Sequence, residues 1–326
     1  MKDLRGKQIL VTGGAGFIGS NLVKVLLGLG ARVRVLDSLE TGKKENLLPF
    51  MNHPDFEFIQ GDICSLSDCE KALAGVDAVS HQAALGSVPR SIAFPNRTHE
   101  INASGFLNLL HAATEAGVKR FVYASSSSVY GDSQISPKTI GSEGNLLSPY
   151  AVTKKLNEDY AAVYHRLHNM ETIGLRYFNV FGPNQDPKGV YAAAIPKFID
   201  AMINGGKITI HGDGKQTRDF TFVENAVQVN IRALSTENNA SFGRVYNVAC
   251  GEYFTLNSVV ASIREILEAQ GRFHPDTIIE HGPERVGDIR NSLADISATV
   301  KDLDYSDIVL FHEGIKAYLA IGNSSC

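Results

Sequence analysis

Tyr150 and Lys154 stand four residues apart in SPYAVTKK, so a helix there brings a phenol and an ammonium to one face. A phenol with a pKa of about 10 is a poor base at neutral pH. A neighbouring cation favours the phenolate, and lowering the pKa by ~3 units takes about 4 kcal/mol of differential stabilisation. Upstream, YASSSSVYG places a run of hydroxyls, Ser125 to Ser128, at the end of an apolar stretch. A hydroxyl just past that stretch can relay a proton between a substrate hydroxyl and the Tyr150 oxygen. Taken alone, the Tyr–Lys spacing is common by chance and the serine run reads equally as a turn.

A second constellation precedes it. In TGGAGFIGS, Gly13, Gly16 and Gly19 are spaced three apart, after the apolar run Gln8–Thr12 and before a helical pattern. Such glycines allow a tight turn, let backbone N–H groups approach a pyrophosphate and permit close helix–strand packing. Asp37 follows Gly19 by 18 residues, at the end of the next apolar run. A carboxylate there accepts from a ribose 2′-hydroxyl and repels a 2′-phosphate, which favours NAD over NADP. Lys43 and Lys44 leave NADP as the lesser alternative, though a solvated loop accounts for both. Asp62, in QGDI, ends a third run within reach of an adenine amino group, and HQAA (81–84) ends a fourth with small residues. Singly these are turn and packing residues; jointly they line the carboxyl edge of a sheet, where ligands of this architecture bind.

The elements needed to hold these residues are legible. Strand-like runs at Gln8–Thr12, Arg32–Leu36, Phe56–Gln60, Ala78–Gln82, Arg120–Ala124 and Thr172–Phe178 alternate with helical spacing, as in Phe17, Leu22, Val25, Leu26 and Leu29. That alternation predicts βαβ units, a parallel sheet and helices on both faces: a Rossmann-type doubly wound α/β fold over residues 1–179. From about Val180 the pattern degrades through a Pro/Gly/Asn/Asp-rich loop. A smaller, irregular substrate domain is expected over 180–326, with some elements returning to the first. Its predicted helices are 191–204, 256–269 and 308–321, and its predicted strands 208–211, 220–223 and 245–249.

Composition narrows the setting. The 326 residues carry 31 Lys plus Arg against 35 Asp plus Glu, a net charge of −4 that offers no polybasic surface to nucleic acid or membrane. Four scattered cysteines fit a reducing compartment, no run suits a membrane span, and the charged start at Met1–Lys7 lacks the form of a signal peptide. A cytoplasmic enzyme is the expectation. Ten histidines form no ligand pattern, so no metal is expected.

TGGAGFIG, Asp37, the serine run ending in VYG, and SPYAVTK together resemble the extended short-chain dehydrogenase/reductase family. Within it the chain is similar to the UDP-hexose 4-epimerases over nearly its full length. The resemblance implies Ser126, Tyr150 and Lys154 as the catalytic set and NAD as cofactor. It assigns Phe17, Ile18, Ser38, Gly42, Ile63, Gln82, Ala83, Ala84, Asn102 and Tyr177 to the cofactor side. The related 4,6-dehydratases carry an Asp–Glu pair after the hydroxyl residue; here Ser127 and Ser128 stand there, so elimination lacks its acid and base. For a UDP-hexose, the resemblance implies contacts from Ser127, Asn179, Thr209, His211, Arg218, Arg285 and Asp288. Two guanidiniums converging on a diphosphate are chemically sound, because their planar forks bind phosphate oxygens bidentately. ALGSVPRS (84–91), with Ser87 near the sugar, resembles the subgroup that prefers N-acetylated substrates. Ser292 falls where galactose/glucose-restricted relatives carry a bulky Tyr. The resemblance also implies a homodimer, built on helices predicted at 98–117 and 149–169. A 4-keto-sugar reductase or dehydrogenase and a catalytically dead dinucleotide sensor are the rival readings.

Overall fold

A computed structural model describes residues 2–188, 192–284 and 290–321. Its centre is a seven-stranded, all-parallel sheet. Six strands come from the first half: β1 (Gln8–Thr12), β2 (Arg32–Asp37), β3 (Phe56–Gln60), β4 (Ala78–His81), β5 (Arg120–Ser126) and β6 (Glu171–Tyr177). The seventh, Arg244–Val248, pairs with β6, giving the order 244–248, β6, β5, β4, β1, β2, β3. β1, β4 and β5 are buried along nearly their whole length, as parallel strands covered on both faces must be. This is the doubly wound α/β fold that the alternating pattern predicted.

Helix Phe17–Gly28 buries Leu22, Val23, Leu26 and Leu27 against one face of the sheet. On the same side, helix Val223–Ser235 lies over β4, β5 and β6. Helix Pro149–His168 covers the other face, beside a long helical stretch over 95–115 that is interrupted by a π-turn at Glu100–Gly105. Residues 149–168 start as a helix because the Ser148 Oγ accepts from the Ala151 N–H at 3.2 Å and Pro149 occupies the first turn. They stop at Asn169, which takes the left-handed conformation.

Beyond β6 the predicted elements are present with shifts. The predicted 220–223 strand is only Thr221–Phe222, and the chain turns helical at Val223. Helix 256–269 has the predicted bounds, while the last helix begins at Phe311 rather than 308. Helix Ala194–Asn204 begins three residues later than predicted, and Tyr191 lies outside the described residues. Strand Lys207–His211 pairs in parallel with Ile278–Gly282, and Thr217–Arg218 lies between Phe254–Thr255 and Asn291–Ser292. Among the described residues no helix is long and apolar enough to cross a membrane.

Candidate active site

The carboxyl ends of β1 to β6 open into one cleft. It is lined by Gly13, Gly16, Phe17, Ile18 and Gly19 from the first turn and helix start, by Asp37 at the end of β2, and by Ser38 and Gly42 after it. Asp62 and Ile63 follow β3, Gln82 to Ala84 and Ser87 follow β4, Ser126 ends β5, Tyr177 ends β6 and Asn179 follows it. Tyr150 and Lys154 enter from their helix.

The glycine turn fits a dinucleotide on steric grounds. Gly13 has φ +68°, and a Cβ on it would lie 2.6 Å from the Ala83 nitrogen; a Cβ on Gly19 would strike the Gly13 carbonyl. Gly16 precedes helix Phe17–Gly28 with no side chain capping its first N–H groups, leaving that terminus for an anion. At the end of β2 the Asp37 carboxylate accepts from the N–H groups of Ala15 at 2.9 Å and Leu39 at 2.8 Å. Burial raises its pKa while those two bonds lower it. Lys43, the cation that favoured NADP, forms an ion pair with Asp186 at 3.0 Å.

Asn102 does not line this cleft. It is buried in the π-turn, where its Oδ1 accepts from Leu85 N–H at 2.7 Å and its Nδ2 donates to the Leu85 carbonyl at 3.0 Å. It therefore shapes the 84–87 loop rather than reaching into the cleft. Ser87, on that loop, also accepts from Arg90 N–H at 3.3 Å and starts the short helix Val88–Ala93.

At the catalytic end, the Lys154 Nζ donates to the Ala124 carbonyl at 2.8 Å and lies 5.9 Å from the Tyr150 ring centroid. Burial pulls Lys154 down to about 8, against the nearby Glu158 carboxylate. Burial pushes the Tyr150 phenol up, and a hydrogen bond with Ser126 pulls it back. Ser126 also accepts from Ser128 N–H at 3.2 Å, holding the turn that carries Ser127. The sequence reading missed what supports this end. Glu158, one turn beyond Lys154, accepts from Ser125 Oγ at 2.6 Å and from Arg176 at 2.8 and 2.7 Å. Arg176 then reaches Glu143 at 2.5 Å. The repeat of four residues from Tyr150 to Lys154 to Glu158 was the available signal.

Of the expected nucleotide residues, Asn179 lines this cleft, and the others lie off its lining or outside the described residues. Asn179 donates to the Asp219 carbonyl at 2.9 Å, adjoining Arg218. Arg218 and the buried Ser292 are register partners on neighbouring strands. Asp219, also missed, accepts from Cys250 N–H at 3.0 Å and Gly251 N–H at 3.1 Å; burial pushes its carboxyl up to about 7 against those bonds. Thr209 and His211 sit on the Lys207–His211 strand, bonded to Glu280 and to the Pro283 carbonyl respectively. Neither lines the main cleft. Arg285 and Asp288 lie outside the described residues.

A glycine turn at an uncapped helix terminus, a carboxylate at the end of β2 and a Tyr–Lys pair with its lysine buried share one sheet edge, the arrangement in which this architecture takes up a dinucleotide. The comparisons make the class definite: residues 9–249 match the NAD dependent epimerase/dehydratase family, and the chain belongs to it, with NAD as cofactor. A UDP-glucose 4-epimerase of Mycolicibacterium smegmatis is 37% identical over 312 residues, covering 94% of this chain and 96% of that one. A dTDP-glucose 4,6-dehydratase of Streptomyces griseus is 33% identical, covering 96% and 93%. A solved UDP-N-acetylglucosamine 4-epimerase of Methanobrevibacter ruminantium, in complex with UDP-N-acetylmuramic acid, superposes with a TM-score of 0.90 at 37% identity, covering 99% and 100%.

Proposed function

We propose that the chain is a UDP-hexose 4-epimerase that interconverts UDP-N-acetylglucosamine and UDP-N-acetylgalactosamine, with plain UDP-hexoses as further substrates. The carrying observation is the catalytic end of the cleft: Tyr150, Ser126 and Lys154 are together, with serines rather than carboxylates at 127 and 128. Likeness alone does not choose, since epimerases and a dehydratase are similarly related; those two positions favour the epimerase. Buried Ser292 beside Arg218 supports the acetylated sugar, because a small side chain there leaves room for a 2-acetamido group.

When bound, NAD supplies the hydride acceptor and returns the hydride. Tyr150, hydrogen-bonded to Ser126, takes the 4-hydroxyl proton and gives it back after the hexose has turned over. Lys154, held by the Ala124 carbonyl, keeps a positive charge beside the phenol. Arg218 and Arg285 grip the diphosphate, so firm contacts fall on the nucleotide and weak ones on the ring that must rotate. Residues 1–179 supply most of the NAD site and 180–326 the nucleotide-sugar grip. A homodimer through helix Pro149–His168 fits the exposure of Val152, Val163 and Leu167 on it.

The test supplies UDP-N-acetylglucosamine and UDP-glucose separately, without added cofactor, and looks for each C4 epimer. Epimer formation with steady 340 nm absorbance is expected; stoichiometric NADH production or consumption would establish the reductase/dehydrogenase reading instead.

A further inference from the structure

Beneath the cleft, four side chains from three elements close a ring of hydrogen bonds. Asn230, on helix Val223–Ser235, donates from Nδ2 to the Tyr177 hydroxyl at 2.7 Å and to the Ala226 carbonyl at 2.8 Å. The Tyr177 hydroxyl donates to Gln82 Oε1 at 3.0 Å. Gln82 Nε2 donates to Ser80 Oγ and to Asn230 Oδ1, each at 3.0 Å, and Ser80 Oγ donates to Asn230 Oδ1 at 3.0 Å. Ser80, Tyr177 and Asn230 are buried.

The ring has one sense. The Ala226 carbonyl can only accept, so the Asn230 nitrogen must face it. The second N–H of that nitrogen then occupies a lone pair of the Tyr177 oxygen, whose proton goes to Gln82 Oε1. The Gln82 amide is thereby turned with its nitrogen toward Ser80 and Asn230. A single helix carbonyl orients all four side chains.

Two members, Gln82 and Tyr177, line the cleft that also holds Tyr150 and Lys154; Asn230 does not line it. Tyr177 and Ala124 belong to the core on the side of helix Val223–Ser235, whereas Lys154 reaches the Ala124 carbonyl from the helix on the opposite face. The end of β5 thus separates two walls, one carrying Tyr177 and Gln82, the other Tyr150 and Lys154.

We propose that Asn230 is a positioning residue that fixes Tyr177 and Gln82 as the wall against which the nicotinamide end of NAD rests. The inference concerns the cofactor side and is independent of which hexose is bound. It is tested on the holoprotein loaded with NADH, following the fluorescence anisotropy of bound NADH and its release into excess NAD, with no sugar present. Asn230→Leu is expected to speed release at least tenfold and to lower the anisotropy. Val229→Ala, a cavity on the same helix outside the ring, should stay within twofold. Asn230→Asp keeps the shape but removes the donor, so the Tyr177 proton is drawn away from Gln82; an intermediate acceleration is expected. If Asn230 acts through Tyr177, the Asn230→Leu/Tyr177→Phe double variant releases NADH no faster than Asn230→Leu alone. Release from Asn230→Leu within twofold of the parent, equal acceleration by Val229→Ala, or multiplicative effects in the double variant would overturn the proposal. Should Asn230→Leu fail to fold, Asn230→Asp, alone and paired with Tyr177→Phe, is judged by the same criteria. Because no turnover is read, a wrong sugar assignment leaves the result unchanged.

Discussion

Tyr150 is pulled in two directions, up by its burial and down by Ser126, and the proposed proton transfer needs the second to prevail when substrate is present. Replacing Tyr150 with Phe removes the hydroxyl proposed to take the 4-hydroxyl proton while preserving the packing. Epimerisation should fall by about 10²–10⁴-fold, the usual worth of a positioned acid–base group, with UDP-sugar affinity retained; full activity in Tyr150→Phe would sink the assignment. His81 shows a different use of burial. Its Nδ1 lies 2.7 Å from the Thr12 Oγ1, and desolvation, with a smaller contribution from Lys154, lowers its pKa to about 3. A folded-state value below the unfolded one means the contribution is complete above about pH 6.5. It is lost as pH falls toward 3, by about 1.4 kcal/mol per unit. Urea unfolding followed from pH 7 to pH 4 should therefore show a shallower acid dependence in His81→Asn than in the parent; parallel curves would show that His81 titrates normally.

Helix Pro149–His168 carries both Tyr150 and Lys154, and it is secured by charge as well as by packing. Arg176 on β6 and Glu158 on the helix are both buried and joined by two hydrogen bonds. Arg176→Met would leave the Glu158 carboxylate buried without its cation, a loss of about 3–5 kcal/mol for such pairs. Arg176→Lys should recover only part, since one ammonium cannot reproduce the paired geometry. Denaturant midpoints of the two variants test this; a midpoint for Arg176→Met within error of the parent would show that the pair contributes nothing net. Neither Glu158 nor Arg176 was singled out from the sequence, although both lie within segments that were. Residue types with known chemistry and short spacing, the glycine triplet and the Tyr–Lys pair, were legible because their partners are local. Spacing could flag the position of Glu158, but the bonds that give Glu158, Arg176, Asp219 and Asn230 their roles include partners 18 or more residues away, which spacing alone does not reveal. Helix Val223–Ser235 was missed for a related reason. Asn225 and Asn230 are buried among Val223, Ala226, Val227, Ala233 and Leu234, and two polar residues on the inner face blur the apolar period. Those asparagines are there to bond Val309 and Tyr177, a tertiary demand overriding the local pattern.

At the scale of the molecule, the chain leaves the sheet after β6 and comes back to it, and this return governs what the first half can do alone. Strand Arg244–Val248 covers the open edge of β6 through five paired residues, from Arg244↔Ile173 to Val248↔Tyr177. The Arg120 guanidinium on β5 donates to the carbonyls of Ala233, Leu234 and Thr236, so it closes the carboxyl end of helix Val223–Ser235 while pairing with Glu171 at 2.6 Å. The core itself is shared: residues from Ile9 on β1 to Leu319 on the last helix belong to one buried apolar cluster. The family match likewise ends at residue 249, one past that returning strand. A fragment of residues 1–179 retains the glycine turn, Asp37, Tyr150 and Lys154. It would expose the face carrying Val122, Ile173 and Leu175, leave β6 as an unpaired edge, and strip Asn230 from Tyr177 and Gln82. Such an edge and apolar face favour association over folding. The fragment should therefore lack a cooperative thermal transition and bind NAD at least a hundredfold more weakly than the full chain, measured by calorimetry and equilibrium dialysis. A fragment that melts cooperatively and binds NAD like the parent would show that the cofactor site is complete without the returning elements.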